Sequence, residues 1–358
     1  MERRPTLETV AEQAEVSRQT VSNVLNAPHL VRPETIDRVR AVIDAVGYRP
    51  HGAARQLRTR RSRVIGLRLE QLGDGINGAV LDRFLHSFTE LAQVRGYRVM
   101  LFTAPDDAGE IAQYAELLDV LDVDAFVLTS THAGDRRTQW LADRDVPFVT
   151  FGRPWEDRED GDDSQPDHPW IDVDGAAGTR VATEHLHALG HRDVAFIGWP
   201  RGSGVGDDRR AGWRRAQLAA GVPEHRLDAF DVAVEDGVQQ GAEAARRLRD
   251  LVRPTAFVCA SDSLALGALA AVRGGDVAPG SAALVPTAVV GFDDTPVARA
   301  VGLTSVAQPL TEAADRALTL LLDRLGGRAA GRALAPDHHV LLAPSLVVRE
   351  SSHPHPLP

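Results

Sequence analysis

The sequence predicts a small all-α head followed by an α/β core of two doubly wound lobes. Three observations predict it. Up to residue 47 the apolar side chains recur at helical spacing. From Val64 onward, short apolar runs alternate with amphipathic helical stretches, the pattern of parallel sheets covered by helices. That alternation falls into two groups on either side of about residue 175, in a chain of 358 residues, long enough for more than one core.

The head is read first. Residues 6–26, TLETVAEQAEVSRQTVSNVLN, form two short helices joined by a tight turn. Leu7, Val10, Ala11 and Ala14 make one apolar face. Thr6 and Ser17 are placed to cap the two helices, because a hydroxyl accepts a bond from a free backbone N–H there. Val21, Val24 and Leu25 turn the second helix inward and leave Arg18, Gln19, Ser22 and Asn23 on its other side. Arg forks onto guanine and Gln or Asn onto adenine, so a short helix offering them is the recognition helix of a helix-turn-helix. The bland alternative is a surface helix pair with ordinary polar residues. Pro33 opens a third helix, Ile36, Val39, Val42, Ile43 and Val46 give it an apolar stripe, and Gly47 closes it.

Charge separates the two parts. The net charge is −10, yet through Arg63 there are 12 Arg against 7 acidic residues, and the remainder carries 28 against 43. A basic head on an acidic body suits local contact with a phosphate backbone. The single Cys259 lies in the apolar run FVCA and reads as a packed core residue; one Cys excludes an internal disulfide and fits a reducing cytoplasm. No apolar run spans a membrane and the charged N-terminus lacks a signal-peptide core.

In the core, VIGLRL, RVMLF, DAFVLT and PFVTF read as buried strands of the first lobe. DVAFIG, TAFVCA and TAVVGF repeat the theme in the second. LDRFLHSFTELAQVRG and AAGTRVATEHLHALGH are helices between them.

After the head comes YRPHGAARQLRTRRS, Tyr48 to Ser62. It resembles the hinge of the lactose-repressor/galactose-repressor (LacI/GalR) family of bacterial transcription regulators. Tyr48, Pro50, Ala54, Arg55 and Leu57 match that pattern, and His51 replaces its usual Asn. Further segments resemble the family in order: ATEHLHALGHRDVAFIG, DDRRAGWRRA, CASDSLALGAL and VVGFDDTPVA. The resemblance implies a helix-turn-helix domain at 1–49 and a hinge helix and linker at 50–62. It implies a periplasmic-binding-protein-like core at 63–350, which binds effector and dimerises. Its first lobe would take 63–174 and 303–337, its second 175–302 and 338–350, with 351–358 a disordered tail. It implies DNA contacts from Thr6, Ser17, Arg18, Gln19, Thr20, Ser22, Asn23 and Asn26. From the hinge it implies Arg55, Arg58 and a minor-groove wedge, Leu57. It assigns effector contacts to Arg209, four residues before Trp213, and to Ser261, Asp262 and Asp293; an Arg fork beside acceptor carboxylates suits a polyhydroxylated ligand. Arg153, beside the Gly152 that stands where some relatives have a cleft Asp, is a further contact.

Departures stand beside the matches. Glu15 occupies a turn position where many members carry Gly; a positive φ there would cost about 1 kcal/mol. GDGINGAVLDRF replaces the family's usual first-lobe entry. EDREDGDDSQPDHP reads as a mobile acidic surface loop or, alternatively, as a cover over the cleft. GSGVG, Gly202 to Gly206, matches no phosphate-cradle motif and reads as a flexible loop. His185, His187 and His191 lack metal-ligand spacing, so no metal and no cofactor is expected. Two readings remain. One is a ligand-controlled repressor that binds a pseudo-palindromic DNA operator as a homodimer in the cytoplasm, tuned by a small sugar-like effector. The other is a sugar-binding or sugar-processing α/β protein with an incidental helix pair. No triad, zinc or paired-carboxylate spacing points to an enzyme, and the first reading uses every segment.

Overall fold

The computed structural model describes residues 5–48, 62–70, 78–155, 168–273, 287–330 and 338–352. They belong to two compact units, Met1–Ser62 and Arg63–Pro358. The hinge residues Arg55, Leu57 and Arg58 lie outside the described residues.

The head consists of α1 (Leu7–Gln13), α2 (Arg18–Asn26), a 3-10 turn at Pro28–Leu30 and α3 (Pro33–Val46). Thr6 caps α1 in a reciprocal box with Thr9, and the Ser17 hydroxyl accepts from the Thr20 N–H at 3.0 Å to cap α2. Gly47 closes α3 at φ 65°, in the left-handed region that ends helices. Val10, Ala11, Ala14, Val21, Val24, Val39 and Tyr48 form the core. Glu15 adopts φ 52°, so the turn does demand the strained conformation that glycine would enter freely.

The first lobe of the core is built on β1 (Val64–Arg68), β2 (Arg98–Phe102), β3 (Ala125–Leu128), β4 (Phe148–Phe151), β5 (Trp170–Val173) and β11 (His339–Leu342). They form a six-stranded parallel sheet in the order β11-β5-β4-β3-β1-β2. Helices α4 (Gly78–Val94) and α13 (Leu310–Ala330) bring Phe84, Phe88, Ala317 and Leu321 to one face. Helices α5 (Asp107–Leu121) and α6 (Arg136–Asp143) bring Tyr114, Leu117 and Leu141 to the other. Both faces are covered, which is why β3 reads as an unbroken apolar run and β4 as one interrupted only by the buried Thr150.

The second lobe holds β6 (Val194–Gly198), β7 (Asp231–Ala233), β8 (Ala256–Cys259), β9 (Ala288–Phe292), β10 (Thr304–Ala307) and β12 (Ser345–Val347). Their order is β12-β10-β9-β8-β6-β7, and all pairs are parallel except β12 with β10. Around the sheet lie α7 (Gly175–Ala188), α8 (Val205–Ala219), the short α9 (Glu224–Leu227), α10 (Val238–Leu251), α11 (Asp262–Arg273) and the short α12 (Pro296–Ala300). Gly212 of α8 lies against the Ala176 carbonyl of α7, where a Cβ would overlap backbone; that contact holds the Arg209 turn of α8 close to α7. Cys259 is wholly buried, and burial pushes its thiol up.

The chain passes between lobes three times, after β5, after β10 and after β11. Two expected segment limits move accordingly. Residues 304–307 pair in the second lobe, not the first, and 339–342 pair with β5 in the first lobe, not the second. The cause is the length of β10 and β11: each completes a strand before crossing. Ser351 and Ser352 are not tail. The Ser351 hydroxyl donates to the Val289 carbonyl at 2.6 Å and accepts from the Thr304 N–H at 2.8 Å, and Ser352 shares a 2.8 Å bond with Thr304. Among the described residues no helix is long and apolar enough to cross a membrane.

Candidate functional site

In the head, α2 exposes Arg18 and Gln19, with Thr20, Ser22 and Asn23 half-buried beside them. Gln19 Nε2 donates to Asn23 Oδ1 at 3.0 Å. The coupled pair keeps the Gln19 amide oxygen and three amide N–H groups outside that bond, the acceptor and donor types that an adenine edge requires. Arg18 lies 3.6 Å from Glu8, a surface pair between two exposed groups that contributes little and yields readily to a stronger partner. Ser17 and Thr20 share a 2.8 Å hydroxyl contact, so both are engaged at the helix start, as Thr6 is with Thr9. Asn26 is the last residue of α2.

In the core, polar side chains gather at the carboxyl ends of both sheets, where open parallel sheets leave a crevice. The centre is Arg209 on α8. It is 5 % exposed, its guanidinium lies 3.7 Å from the Phe292 ring centroid and 5.1 Å from that of Trp199, and Nη2 is 3.6 Å from Asp293 Oδ1. Nη1 donates to the Ala260 carbonyl, whereas Nε is buried and makes no hydrogen bond among the described residues. Burial pulls the guanidinium down against the opposing pull of Asp293. Burial likewise pushes Asp293 well above the usual carboxylate range; Arg209 pulls it back and Asp262 adds to the rise. Asp293 also accepts from Gln308 Nε2 at 2.6 Å and sits at φ 110°, a strained backbone at the end of β9.

Two of the expected contacts behave differently from Arg209 and Asp293. Ser261 is wholly buried; its hydroxyl donates to Asp236 Oδ1 at 2.5 Å and accepts from the Leu264 N–H at 3.2 Å. Asp262 does not line the cleft. Its carboxylate accepts from Ser305 at 2.6 Å and from the Thr295 N–H at 2.7 Å, beneath Gly291, tying α11 to β10 and to the start of α12. Burial pushes it up as well.

Arg153 follows β4 and is held by two carboxylates from different lobes. Nε donates to Asp172 of β5 at 2.6 Å and Nη2 to Asp208 of α8 at 3.1 Å. Burial opposes its charge, yet Asp172 and Asp208 hold it above its ordinary value. Trp155 lies under it at 4.7 Å and packs on Gly204. Arg153 is thus a bridge across the lobes. Of GSGVG, Val205 and Gly206 form the first turn of α8, so the segment is partly helix and not wholly loop. His185 and His187 bond separately to Ser352 and Gln217, and His191 is buried.

The first-lobe wall was hidden in the sequence. Arg68, Leu69 and Glu70 at the end of β1, Leu81 and Leu85 of α4, and Thr129 after β3 line a cavity of about 370 Å³. Arg68 pairs with Glu70, and its Nη1 reaches the fully buried Glu110 at 2.8 Å. Trp199, Asp236, Phe292 and Gln308 were likewise missed. Trp199 and Gln308 directly follow strands and Phe292 ends one, positions that strand-end reading flags; Asp236 lies three residues past β7 and carries no such signal.

Residues 6–51 match the model of the bacterial regulatory proteins, lacI family, and residues 183–352 that of a periplasmic binding protein-like domain. The HTH-type transcriptional regulator CelR of Thermobifida fusca is 34% identical over 355 residues, 98% of each chain. This chain belongs to the lacI family. Solved structures agree with that membership. The structure of a transcriptional regulator CelR-cellobiose complex has a TM-score of 0.67 at 30% identity, covering 97% of this chain and 100% of that one. The lac repressor dimer bound to operator and the anti-inducer ONPF has a TM-score of 0.76 at 25% identity, covering 98% and 100%. This lacI-family protein is a ligand-responsive, DNA-binding transcriptional regulator.

Proposed function

We propose that this regulator is a homodimeric repressor of carbohydrate-utilisation genes, acting in the cytoplasm on a pseudo-palindromic operator and tuned by a sugar. The observation that carries the ligand class is Arg209: a buried fork with a spare Nε, between two aromatic rings and facing a carboxylate. Vicinal hydroxyls match an Arg fork and a carboxylate, and the C–H faces of a pyranose match aromatic rings. The cellobiose named for the CelR complex supports the same class.

Two heads would set Arg18, Gln19 and Asn23 into successive major grooves. The hinge segment 52–58, about seven residues, is too short for a stable lone helix, so it would fold on DNA, with Leu57 wedged into a minor-groove step and Arg55 and Arg58 near phosphate. Sugar changes operator affinity only through its different affinity for two arrangements of the lobes. Arg153 contributes to that balance, because its bridge to Asp172 and Asp208 must persist or break as the lobes move. The chain acts by binding and not by catalysis. A thermal-shift screen of sugars, followed by operator titration with each hit, tests the reading. A sugar that raises the melting temperature and changes operator affinity supports it; a complete screen without either effect overturns it.

A further inference from the structure

Asp293, the acid that faces Arg209, is followed directly by a second buried acid, Asp294. Both lie at positive φ, 110° at Asp293 and 49° at Asp294, which is uncommon for any residue but glycine. Such a pair persists only where its surroundings over-determine it. We propose that Arg349, which reaches the pair from beyond the third crossing between lobes, is the positioning residue that sets the direction of Asp293 toward the effector. It rests on the sugar reading given above, in which Asp293 and Arg209 hold the ligand.

The restraint falls on Asp294. Arg349 Nη2 donates to Asp294 Oδ1, and Arg299 of α12 takes the other oxygen, Nη2 at 2.8 Å and Nε at 3.2 Å. The Asp294 N–H donates to the Ser305 hydroxyl at 3.0 Å, so side chain and backbone are both fixed. Arg349 is anchored in turn. Its Nη1 donates to the Leu303 carbonyl at 2.7 Å and its N–H to the Thr304 hydroxyl at 2.8 Å, which ties the residue after β12 to the start of β10. Asp293 has fewer ties of its own: its N–H donates to the Val306 carbonyl at 2.7 Å, Gln308 donates to its carboxylate at 2.6 Å, and Arg209 stands 3.6 Å away. Its direction therefore follows the turn that Asp294 fixes. Charge acts the same way. Asp262, Asp293 and Asp294 are three buried carboxylates, and the Ser305 hydroxyl links the first to the third. The Arg299 side chain is 54% exposed and screened by water, whereas that of Arg349 is 17% exposed, so Arg349 is the cation that balances Asp294 at short range. Without it an uncompensated carboxylate would stand next to Asp293 and push the turn apart.

The test is a double-mutant cycle in the full-length protein, Arg349→Met against Asp293→Asn, read by isothermal titration. Cellobiose, maltose, lactose, glucose and galactose are titrated into the parent, and the tightest binder serves as probe. Arg349→Met is expected to weaken that sugar about tenfold in the parent and by less than about threefold in the Asp293→Asn background. Arg349→Lys, which keeps a charge at Asp294, should recover most of the affinity. Melting temperature separates positioning from folding: Arg349→Met lowers it in both backgrounds, whereas affinity falls in only one. Equal loss of affinity in both backgrounds overturns the positioning role and leaves the sugar reading standing. So does an Arg349→Met affinity within about threefold of the parent. Should Arg349→Met fail to fold, Arg299→Met, at a more exposed site on the same carboxylate, carries the cycle: a loss of about threefold confined to the parent background supports the role, and no loss or an equal loss overturns it. If none of the five sugars binds, the sugar reading and this inference fall together.

Discussion

Replacing Glu110 by Ala tests the deepest charge network of the core. The carboxylate is fully buried and accepts from Arg137 Nη1 at 2.8 Å and Tyr114 Oη at 2.5 Å, with Arg68 Nη1 at 2.8 Å. Arg137 also holds Asp135 and the carbonyls of Thr129 and Ser130, and Arg68 also holds Glu70. Glu110→Ala therefore leaves one N–H on each of two guanidiniums, and one buried hydroxyl, without an acceptor. An unsatisfied buried donor costs about 1–3 kcal/mol, and breaking a buried ion pair about 3–5 kcal/mol. The expected loss is about 4 kcal/mol, a melting-point fall of roughly 8 °C at about 2 °C per kcal/mol for a unit of this size. Glu110→Gln preserves shape but turns an amide N–H toward donors, and is expected to lose about half as much. Thermal unfolding followed by circular dichroism at pH 7 measures both. A Glu110→Ala midpoint within about 2 °C of the parent would refute the reasoning, by showing that water re-pairs these groups.

Three further outcomes are expected. Arg18→Ala should relax preference at one base of each half-site at a cost of about 1–3 kcal/mol; equal weakening on every sequence in a binding-site selection would mean phosphate contact only. Arg209→Met keeps the stack between Phe292 and Trp199 but removes the fork, so effector affinity should fall by about two to four charge-assisted bond increments of roughly 1.5 kcal/mol, at least about 100-fold, with operator affinity retained; a change under threefold in titration would exclude the role. Burial, aided by nearby His339 and Arg324, holds His168 down to about 4. Its contribution is complete above pH 6.5 and is lost as pH falls through the window to 4, up to about 3 kcal/mol, so His168→Phe should lose less stability than the parent on acidification; identical melting curves against pH would reject this.

The head was the most legible part. Thr6, Ser17, Pro33 and Gly47 each mark an element end by local chemistry, and the structure uses all four as caps or starts. The strands named from apolar runs all formed; most are buried on both faces, which leaves a long apolar run, whereas β2 is a partly exposed edge strand. β5, β7, β10, β11 and β12 are not marked by such runs: each is only three or four residues long, and polar residues such as Asp172, Asp231, Thr304, Ser305, His339 and Ser345 interrupt or open them. Family order offers Arg209, Asp293 and Asp262 alike for the cleft; the first two lie 3.6 Å apart beside Phe292, whereas Asp262 accepts from Ser305 and from the Thr295 N–H at the start of α12. Sequence spacing cannot tell two carboxylates apart when both follow strands; only the positions of Ser305 and the Thr295 N–H decide which is turned away from the crevice.

The threefold crossing between lobes has a consequence for synthesis. The head is contiguous and its core closes within residues 10–48, so it can fold while the ribosome is still far upstream of the end. Neither lobe has that freedom. Phe84 and Phe88 wait for Ala317 and Leu321 of α13, and β12, the edge strand of the second lobe, is made after β11 has completed the first. A nascent chain halted before Leu310 would carry a folded DNA-reading head on an unclosed, apolar sheet, a species prone to aggregate and open to proteolysis. Release of a competent regulator is thereby tied to completion of nearly the whole chain.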